Sequence, residues 1–449
     1  MERVWWNGPL DVESLALDSV DAAARALGEL TGDAGRFAPS APATAAAFDS
    51  LGHLRVDGRM PRLFSPLSDF WPTRDGWVRT HGNYPHHARR MLAALQVDDV
   101  AAVFDPGADA GSVRDAAGVV GDALLRMTAA DAERSIQAEG GIAAAVRSPD
   151  EWSATLMAQD LAGTPWLQIT PAAAAGRPDE ALWHQRPHSD RSTVRPLSGL
   201  RVLDFTRVIA GPIATRLLAA LGAQVLRIDP PQLPDLLDQH IDAGFGKRSA
   251  YADLANPRDR AAVLRLVQSA DVVVTGYRPG ALRQFGLDEQ SLLAARPELI
   301  VASLDAWGRS GPWGRLRGFD SIVQAASGIA TIYGHDDGSG WRPGALPCQA
   351  LDHATGYGVA AGIIELLARQ AQSGLGGAVH LALARTAAEL LARQSVDAPV
   401  SELDLPATRT MDSEFGPLAY TPPPLLVDGE LLDYTAAPVP PGSSPLSWW

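Results

Sequence analysis

The sequence predicts an α/β protein, a doubly wound, mostly parallel sheet joined to a smaller α+β domain. Three observations predict it. From Leu197 onward, short strand-like runs alternate with helical stretches. The runs are apolar from end to end, as in strands buried on both faces. Near residue 190 the texture changes: the polar, Pro-bounded stretch RPHSDRSTVRP reads as a linker between an Ala-rich first part and that alternation.

The elements follow in order. Residues 1–190 are read as the smaller domain, with helical DSVDAAARALGEL and VRDAAGVVGDALLRM. Between these, SDFWPTRDGWVRTHGNYPHHARRMLAAL sets a turn at Arg74-Asp75-Gly76 between two short strands, with a helix after them. Residues 191–400 are read as the sheet domain. RVLDF is a strand, GPIATRLLAAL a helix with Pro212 near its first turn, and QVLRID a second strand. ADVVVTG, LIVASLDAW and AVHLALA continue the alternation. Residues 401–449 are Pro-rich and are read as an extended tail packing on the body, because their aromatic and aliphatic residues speak against full disorder.

Composition narrows the function. The chain has 449 residues, of which 46% are hydrophobic and 20% charged, values ordinary for a globular protein. The net charge of −14, with no basic run, argues against nucleic acid as a partner, though a small anion needs only a local positive patch. The single cysteine, Cys348, rules out an internal disulfide and a cysteine-based metal cluster, and suits a reducing compartment. The start, MERVWWNGPLDVESLALD, lacks the pattern of a signal peptide. No apolar run approaches the roughly 20 residues that span a bilayer, so no membrane partner and a cytoplasmic location are expected. Of the 38 basic residues only Lys247 is a lysine, which a GC-rich genome favouring arginine codons explains.

Several stretches bear on chemistry. The first strand–turn–helix reads DFTRVIAGP, without the G-x-G-x-x-G of dinucleotide sites. Ala210, Gly211 and nearby Arg207 could hold an anion or an adenine there; a plain turn that binds nothing is the alternative. Farther on, LPCQALDHATGYGVAAG sets Asp352 and His353 ahead of a run of small residues. On its own, Asp352 reads as an N-cap. His353 points about 100° away along a helix, so the two are not expected to act as a dyad. Cys348 reads as a packed small hydrophobe. His81, His86 and His87 in THGNYPHHARR are conspicuous, but further ligands at metal spacing are missing, so surface or substrate-pocket roles are expected and no metal site.

Five ordered blocks carry a resemblance: PLSGLRVLDFTRVIAGPIATRLLAALGAQVLRID, GKRSAYADL, ADVVVTGYRPGALRQFGLD, RGFDSIVQAASG and LPCQALDHATGYGVAAGIIELLARQAQSGLGG. Over about residues 196–390 they resemble the class III CoA-transferases of the CaiB/BaiF type, the family of formyl-CoA and carnitine CoA-transferases and of alpha-methylacyl-CoA racemase. The resemblance implies a Rossmann-like catalytic domain, acyl-CoA and a carboxylic acid as substrates, and no resident cofactor, coenzyme A entering as substrate. It also implies an interlocked homodimer. It makes Asp352 the nucleophile, with Gly356 on the same helix face. It places Arg207, Val208 and Ala210 of the first turn, Lys247 of GKRS, and Gly276, Tyr277 and Arg278 of TGYRPG at the coenzyme. Small neighbours of Asp352 are expected to let the pantetheine arm and the acyl group come close.

The chain departs from the pattern at Gly276, where relatives often carry Asn, at Gln284, where they often carry Arg, and at Pro230, where an arginine is usual. Arg283 could compensate from the neighbouring direction. Phe319 stands where the racemase branch has its histidine, which makes racemisation the runner-up, with His335 and His353 the nearest histidines in sequence. Residues 41–190 resemble the family's later domain but come first. Two contrasting functions are a non-catalytic acyl-CoA binding protein, which the retained Asp352 speaks against, and a nucleotide-dependent oxidoreductase, which the missing G-x-G-x-x-G disfavours.

Overall fold

The computed structural model describes residues 5–6, 8–62, 64–97, 110–173, 194–393 and 403–449. The expected domain boundary near residue 190, and most of its linker, lie outside the described residues.

Helix α1 (Val12–Thr31) starts where the Asp11 carboxylate accepts the Ser14 N–H at 3.0 Å, and stops at Gly32, whose φ of +76° a side chain would disfavour. Val12, Leu15, Ala16, Val20, Ala23 and Leu27 form its buried stripe. Strands β1 (Phe70–Pro72) and β2 (Trp77–Thr80) pair antiparallel across the Arg74–Gly76 turn, and helix α2 (Pro85–Leu95) follows. Strand β3 (Ala143–Ala145) pairs with the other edge of β2.

The main sheet has seven strands. They are β4 (Gln168–Pro171), β5 (Arg201–Phe205), β6 (Gln224–Asp229), β7 (Lys247–Tyr251), β8 (Val272–Thr275), β9 (Ile300–Asp305) and β10 (Gly377–Ala382). Their order across the sheet is β4-β10-β9-β8-β5-β6-β7. All neighbours are parallel except β4 and β10. Val202, Leu203, Val225, Leu226 and Val273 are fully buried, as the apolar runs require. β5 lies beside β8, with β6 and β7 to one side and β9 and β10 to the other. That reversal of winding leaves a crevice beyond the carboxyl ends of β5 and β8.

Helices α3 (Ala210–Ala220), α4 (Asp320–Ala326) and α5 (Ala350–Ser373) surround the crevice. α5 ends at Gly374, in the left-handed region at φ +73°. One core joins α1, α3 and α5, and α1 lies along α5.

The C-terminal segment does more than drape over the body. Leu425–Val427 pairs with Phe37–Pro39, and Leu418–Tyr420 pairs with Arg55–Val56. The last residues reach the main sheet and its connections: Trp448 Nε1 donates to Ser269 Oγ at 3.0 Å, and Arg248 of β7 sits 4.2 Å above the Trp449 ring. Among the described residues no helix is long and apolar enough to cross a membrane.

Candidate functional site

The turn after β5 is held from below. The Lys247 ammonium, on β7, donates to Asp204 Oδ2 at 3.2 Å, to Thr215 Oγ1 at 2.6 Å and to the Pro212 carbonyl at 2.8 Å. Those three bonds use all three of its donors. Burial brings Lys247 down to about 8, against the pull of Asp204. The structure does not bring Lys247 to the crevice; it ties the end of β5 to the first turn of α3.

Above that tie, Val208 holds φ at +71°. A β-branched residue there stores roughly 1–3 kcal/mol of strain. Its N–H reaches Asp235 Oδ2 at 3.3 Å, and the same carboxylate accepts from Arg227 at 2.6 Å and from the Tyr84 hydroxyl. Burial would raise Asp235, but Arg227 and Arg207 outweigh it and hold the carboxyl at about 2. Tyr84 precedes α2, so one buried carboxylate joins the N-terminal segment to the turn.

A cleft of about 330 Å³ opens at this point. Arg207, Val208 and Ala210 line one side, and Gly276, Tyr277 and Arg278, just after β8, line another. Asp352 lies in the same wall. Arg317 adds a cation that sequence reasoning missed, although it stands two residues before Phe319 in the RGFD block. The Arg207 guanidinium lies 5.2 Å over the Tyr84 ring and donates to the Pro234 carbonyl at 2.9 Å. Arg278 and Arg317 donate to the Arg315 and Gly140 carbonyls at 3.3 and 3.1 Å. Burial, then Arg278 and Arg90, lower Arg317 from its ordinary value. Such a cluster attracts anions. Gln284, Pro230 and Arg283 are not in the lining of this cleft.

Asp352 is the third residue of α5 and not its N-cap, a position taken by Gln349. Its own N–H donates to Asp320 Oδ2 at 2.9 Å, and the Gln324 amide donates to Asp320 Oδ1 at 2.5 Å. Asp320 therefore caps α5 from outside. Burial, with the Asp320 carboxylate added, pushes Asp352 well above the usual carboxylate range. Asp320 is raised by burial too, against the hydrogen bonds it accepts. Nothing in the sequence distinguished Asp320 from an ordinary first-turn acid.

The small residues after Asp352 do not make room for a ligand. A Cβ on Gly356 would run into the Ala210 carbonyl, one on Gly358 would stand 2.6 Å from Leu381, and one on Gly362 2.7 Å from Val379. Protein atoms fill all three spaces. The glycines let α5 sink against α3 and β10, and Gly356 thereby sets Asp352 one turn from the start of α3.

A second cavity, of about 630 Å³, meets Asp352 from the other side. Val208, Phe319 and Asp352 border both spaces. The histidine cluster is divided between the two spaces, His81 bordering this cavity. His81 stacks on Phe319 with ring centroids 3.8 Å apart, and His86 and His87 line the cleft. In space, then, the histidine against Phe319 comes from the N-terminal segment, and neither His335 nor His353 takes that place. Burial, then Arg79, brings His81 down to about 3. His353 stacks on Phe48 at 5.1 Å and has no hydrogen bond to Asp352 among the described residues. Burial pushes the Cys348 thiol well up, which leaves it unreactive. Among the described residues no group of three or more His, Cys, Asp or Glu is placed to hold a metal ion.

Residues 197–417 match the family model described as CoA-transferase family III. The chain carries a CoA-transferase family III region. An acetyl-coenzyme A transferase of Hypoxylon pulicicidum is 30% identical over 353 residues, 76% of this chain and 57% of its own length. A probable fatty acyl-CoA transferase of Mycobacterium tuberculosis is 34% identical over 213 residues, 44% of this chain and 53% of its own. A succinate–glutarate CoA-transferase of Agrobacterium fabrum is 34% identical over 224 residues, 46% of this chain and 55% of its own. The chain thus spans about half the length of these relatives. The family III region contributes six of the sheet's seven strands, all but β4, together with both crevice turns and Asp352. Tyr84, His86, His87, Phe48 and His81 lie outside it.

Proposed function

We propose that this chain is a CoA-transferase that moves CoA from an acyl-CoA thioester to a carboxylic acid, with Asp352 as nucleophile. The observation that carries the reading is the place of Asp352. It borders both the arginine-lined cleft, which suits the phosphates of CoA, and the second cavity, which suits the acyl group. Arg207, Val208, Ala210, Gly276, Tyr277 and Arg278 form the proposed coenzyme wall, with Arg317 added. The sheet, read as Rossmann-like, presents this wall at its reversal point.

The steps balance without ATP or a redox partner. An Asp352 oxygen attacks the thioester carbonyl carbon; the C–S bond breaks and its electron pair leaves on the CoA thiolate, giving a mixed anhydride. The thiolate attacks the Asp352 side-chain carbonyl carbon and expels the first acid as its carboxylate, leaving an aspartyl-CoA thioester. The acceptor carboxylate attacks that carbon and releases the thiolate. The thiolate then attacks the acceptor's acyl carbon, which forms the new acyl-CoA and frees the Asp352 carboxylate. Among the described residues no side chain caps α3, and its Ala210 and Gly211 N–H groups are the proposed donors for the oxyanions, Pro212 having none. Phe319 cannot exchange a proton, which favours transfer over racemisation. By resemblance the working form is an interlocked homodimer in the cytoplasm.

Asp352→Asn is expected to keep the fold and CoA binding and to lose nearly all transfer. Exchange of CoA between acids, followed by mass spectrometry, measures it. Wild-type rates in the variant, or deuterium entering the α-carbon in deuterated water as fast as CoA moves, would overturn the proposal.

A further inference from the structure

We infer that Asp235, anchored by Tyr84, is a positioning residue for CoA transfer: it holds the Val208 N–H and so keeps the turn from β5 into α3 in its left-handed conformation. The inference rests on the CoA-transfer reading. It goes beyond that reading in assigning a part in the rate to a residue that lines neither the cleft nor the second cavity.

The turn is where the structure stores strain. Among the described residues four besides glycine hold φ positive: Asp57, Gln96, Val208 and Asp428. Aspartate tolerates that region, and Gln96 caps the end of α2. Val208 is the β-branched one, and nothing in its own chemistry favours the conformation. A strained residue persists where its surroundings over-determine it. Here the hold is the bond of 3.3 Å from the Val208 N–H to Asp235 Oδ2.

Asp235 is fixed in its turn. Its Oδ2 also accepts from Arg227 at 2.6 Å, and its Oδ1 accepts the Leu236 N–H at 3.0 Å and the Tyr84 hydroxyl. These donors take up the acceptor sites a carboxylate offers, and the side chain is only 3% exposed. Arg227 does not depend on Asp235 alone, because Asp229 pairs with it at 2.8 Å. Neutralising Arg227 therefore does not account for Asp235. Tyr84 comes from outside the family III region, so the N-terminal segment reaches the turn through this carboxylate.

Both ends of the turn are fastened. Lys247 ties the end of β5, and Gly356 lets α5 close on the Ala210 carbonyl at the start of α3. A Val208 released from Asp235 would fall to negative φ, a rotation of more than about 100° that residues 206–209 must absorb. Two groups then shift beside Asp352. One is the Val208 side chain, which borders both spaces; the other is the Ala210 N–H, a proposed oxyanion donor. Arg278 and Arg317, on other segments, stay in place. The loss should therefore fall on kcat more than on KM.

The test measures CoA transfer by the whole purified chain in two backgrounds, wild type and Val208→Gly. Asp235→Ala should cut kcat at least about tenfold and leave KM for acyl-CoA within about threefold. Glycine takes the left-handed φ without strain, so in the Val208→Gly background the same Asp235→Ala should cost less than about threefold. Asp235→Asn, which can turn its oxygen to the Val208 N–H and its amide to the Tyr84 hydroxyl, should fall between wild type and Asp235→Ala. Equal losses in the two backgrounds overturn the inference, and so does a loss confined to KM or a folded Asp235→Ala with wild-type kcat. If Asp235→Ala does not fold, Tyr84→Phe stands in. A fall in kcat that Val208→Gly removes upholds the inference; a fall that it leaves, or no fall, overturns it. If the wild type moves CoA to no acid from any donor, the transfer reading fails, and a crystal structure of the folded variant still decides the hold. Val208 at negative φ upholds it, and Val208 still at positive φ rejects it.

Discussion

Asp352 and Asp320 share one buried site, and two carboxylates so placed resist carrying two charges. Asp320 accepts the Asp352 N–H and the Gln324 amide, and these bonds favour its charged form. The cost therefore falls on Asp352, whose carboxyl is raised by burial and then by the Asp320 charge. As the proposed nucleophile Asp352 must be ionised, so the transfer rate should rise with pH above the ordinary carboxylate range of about 3.9. Asp320→Asn removes the like charge while keeping an acceptor for the Asp352 N–H. The acid limb of kcat/KM should then move to lower pH. A limb that stays in place or moves up would show that Asp320 does not act on Asp352 electrostatically. At this scale the sequence was half legible. Asp352 stood out because its block was distinctive. Asp320 did not, because its influence comes from a helix brought alongside by the fold, a juxtaposition that no local spacing records.

The element that matters most is the turn from β5 into α3. Its strained Val208 persists because Asp235 grips the backbone above and Lys247 fastens the strand end below. The lone lysine was expected at the coenzyme. The structure instead satisfies its ammonium inside the fold. Lys247→Met keeps much of the volume but leaves Asp204, fully buried, without its cation. That should cost about 3–5 kcal/mol of stability, read from urea or guanidinium unfolding. Unchanged stability together with weakened CoA binding would return Lys247 to the ligand. Five of the seven strands were readable because parallel sheets demand unbroken apolar runs; β7, at the other edge with the sequence KRSAY, carries no such run and was not. Short β4 was not: it joins the edge antiparallel through its pairing with β10, and QITP carries no such run.

The family III region does not bury its own surface. α1 covers α5, and Phe48 stacks on Tyr357 of α5 with centroids 5.7 Å apart. Tyr84 grips Asp235, and β2 supplies Arg79 to the second cavity, with His81 just beyond its end. The Ala-rich start was legible as helices, but its contacts with the sheet were not, since helical periodicity says which face is buried and not against what. The chain's two ends are also interdependent, because Leu425–Val427 and Leu418–Tyr420 pair with strands from the first sixty residues. A chain of residues 197–449 alone would expose the α5 face that α1 covers, together with the unpaired strand edges of the C-terminal segment. Contiguous apolar surface and open edges of that kind drive association. Such a fragment should aggregate or lack a cooperative thermal transition, and it should not bind acyl-CoA, having lost the Tyr84, His86 and His87 side of the cleft. Size-exclusion chromatography, a melting curve and a CoA titration check this. A monomeric fragment that melts cooperatively and binds acyl-CoA as the whole chain does would show that the N-terminal segment is an appendage and not a wall of the site.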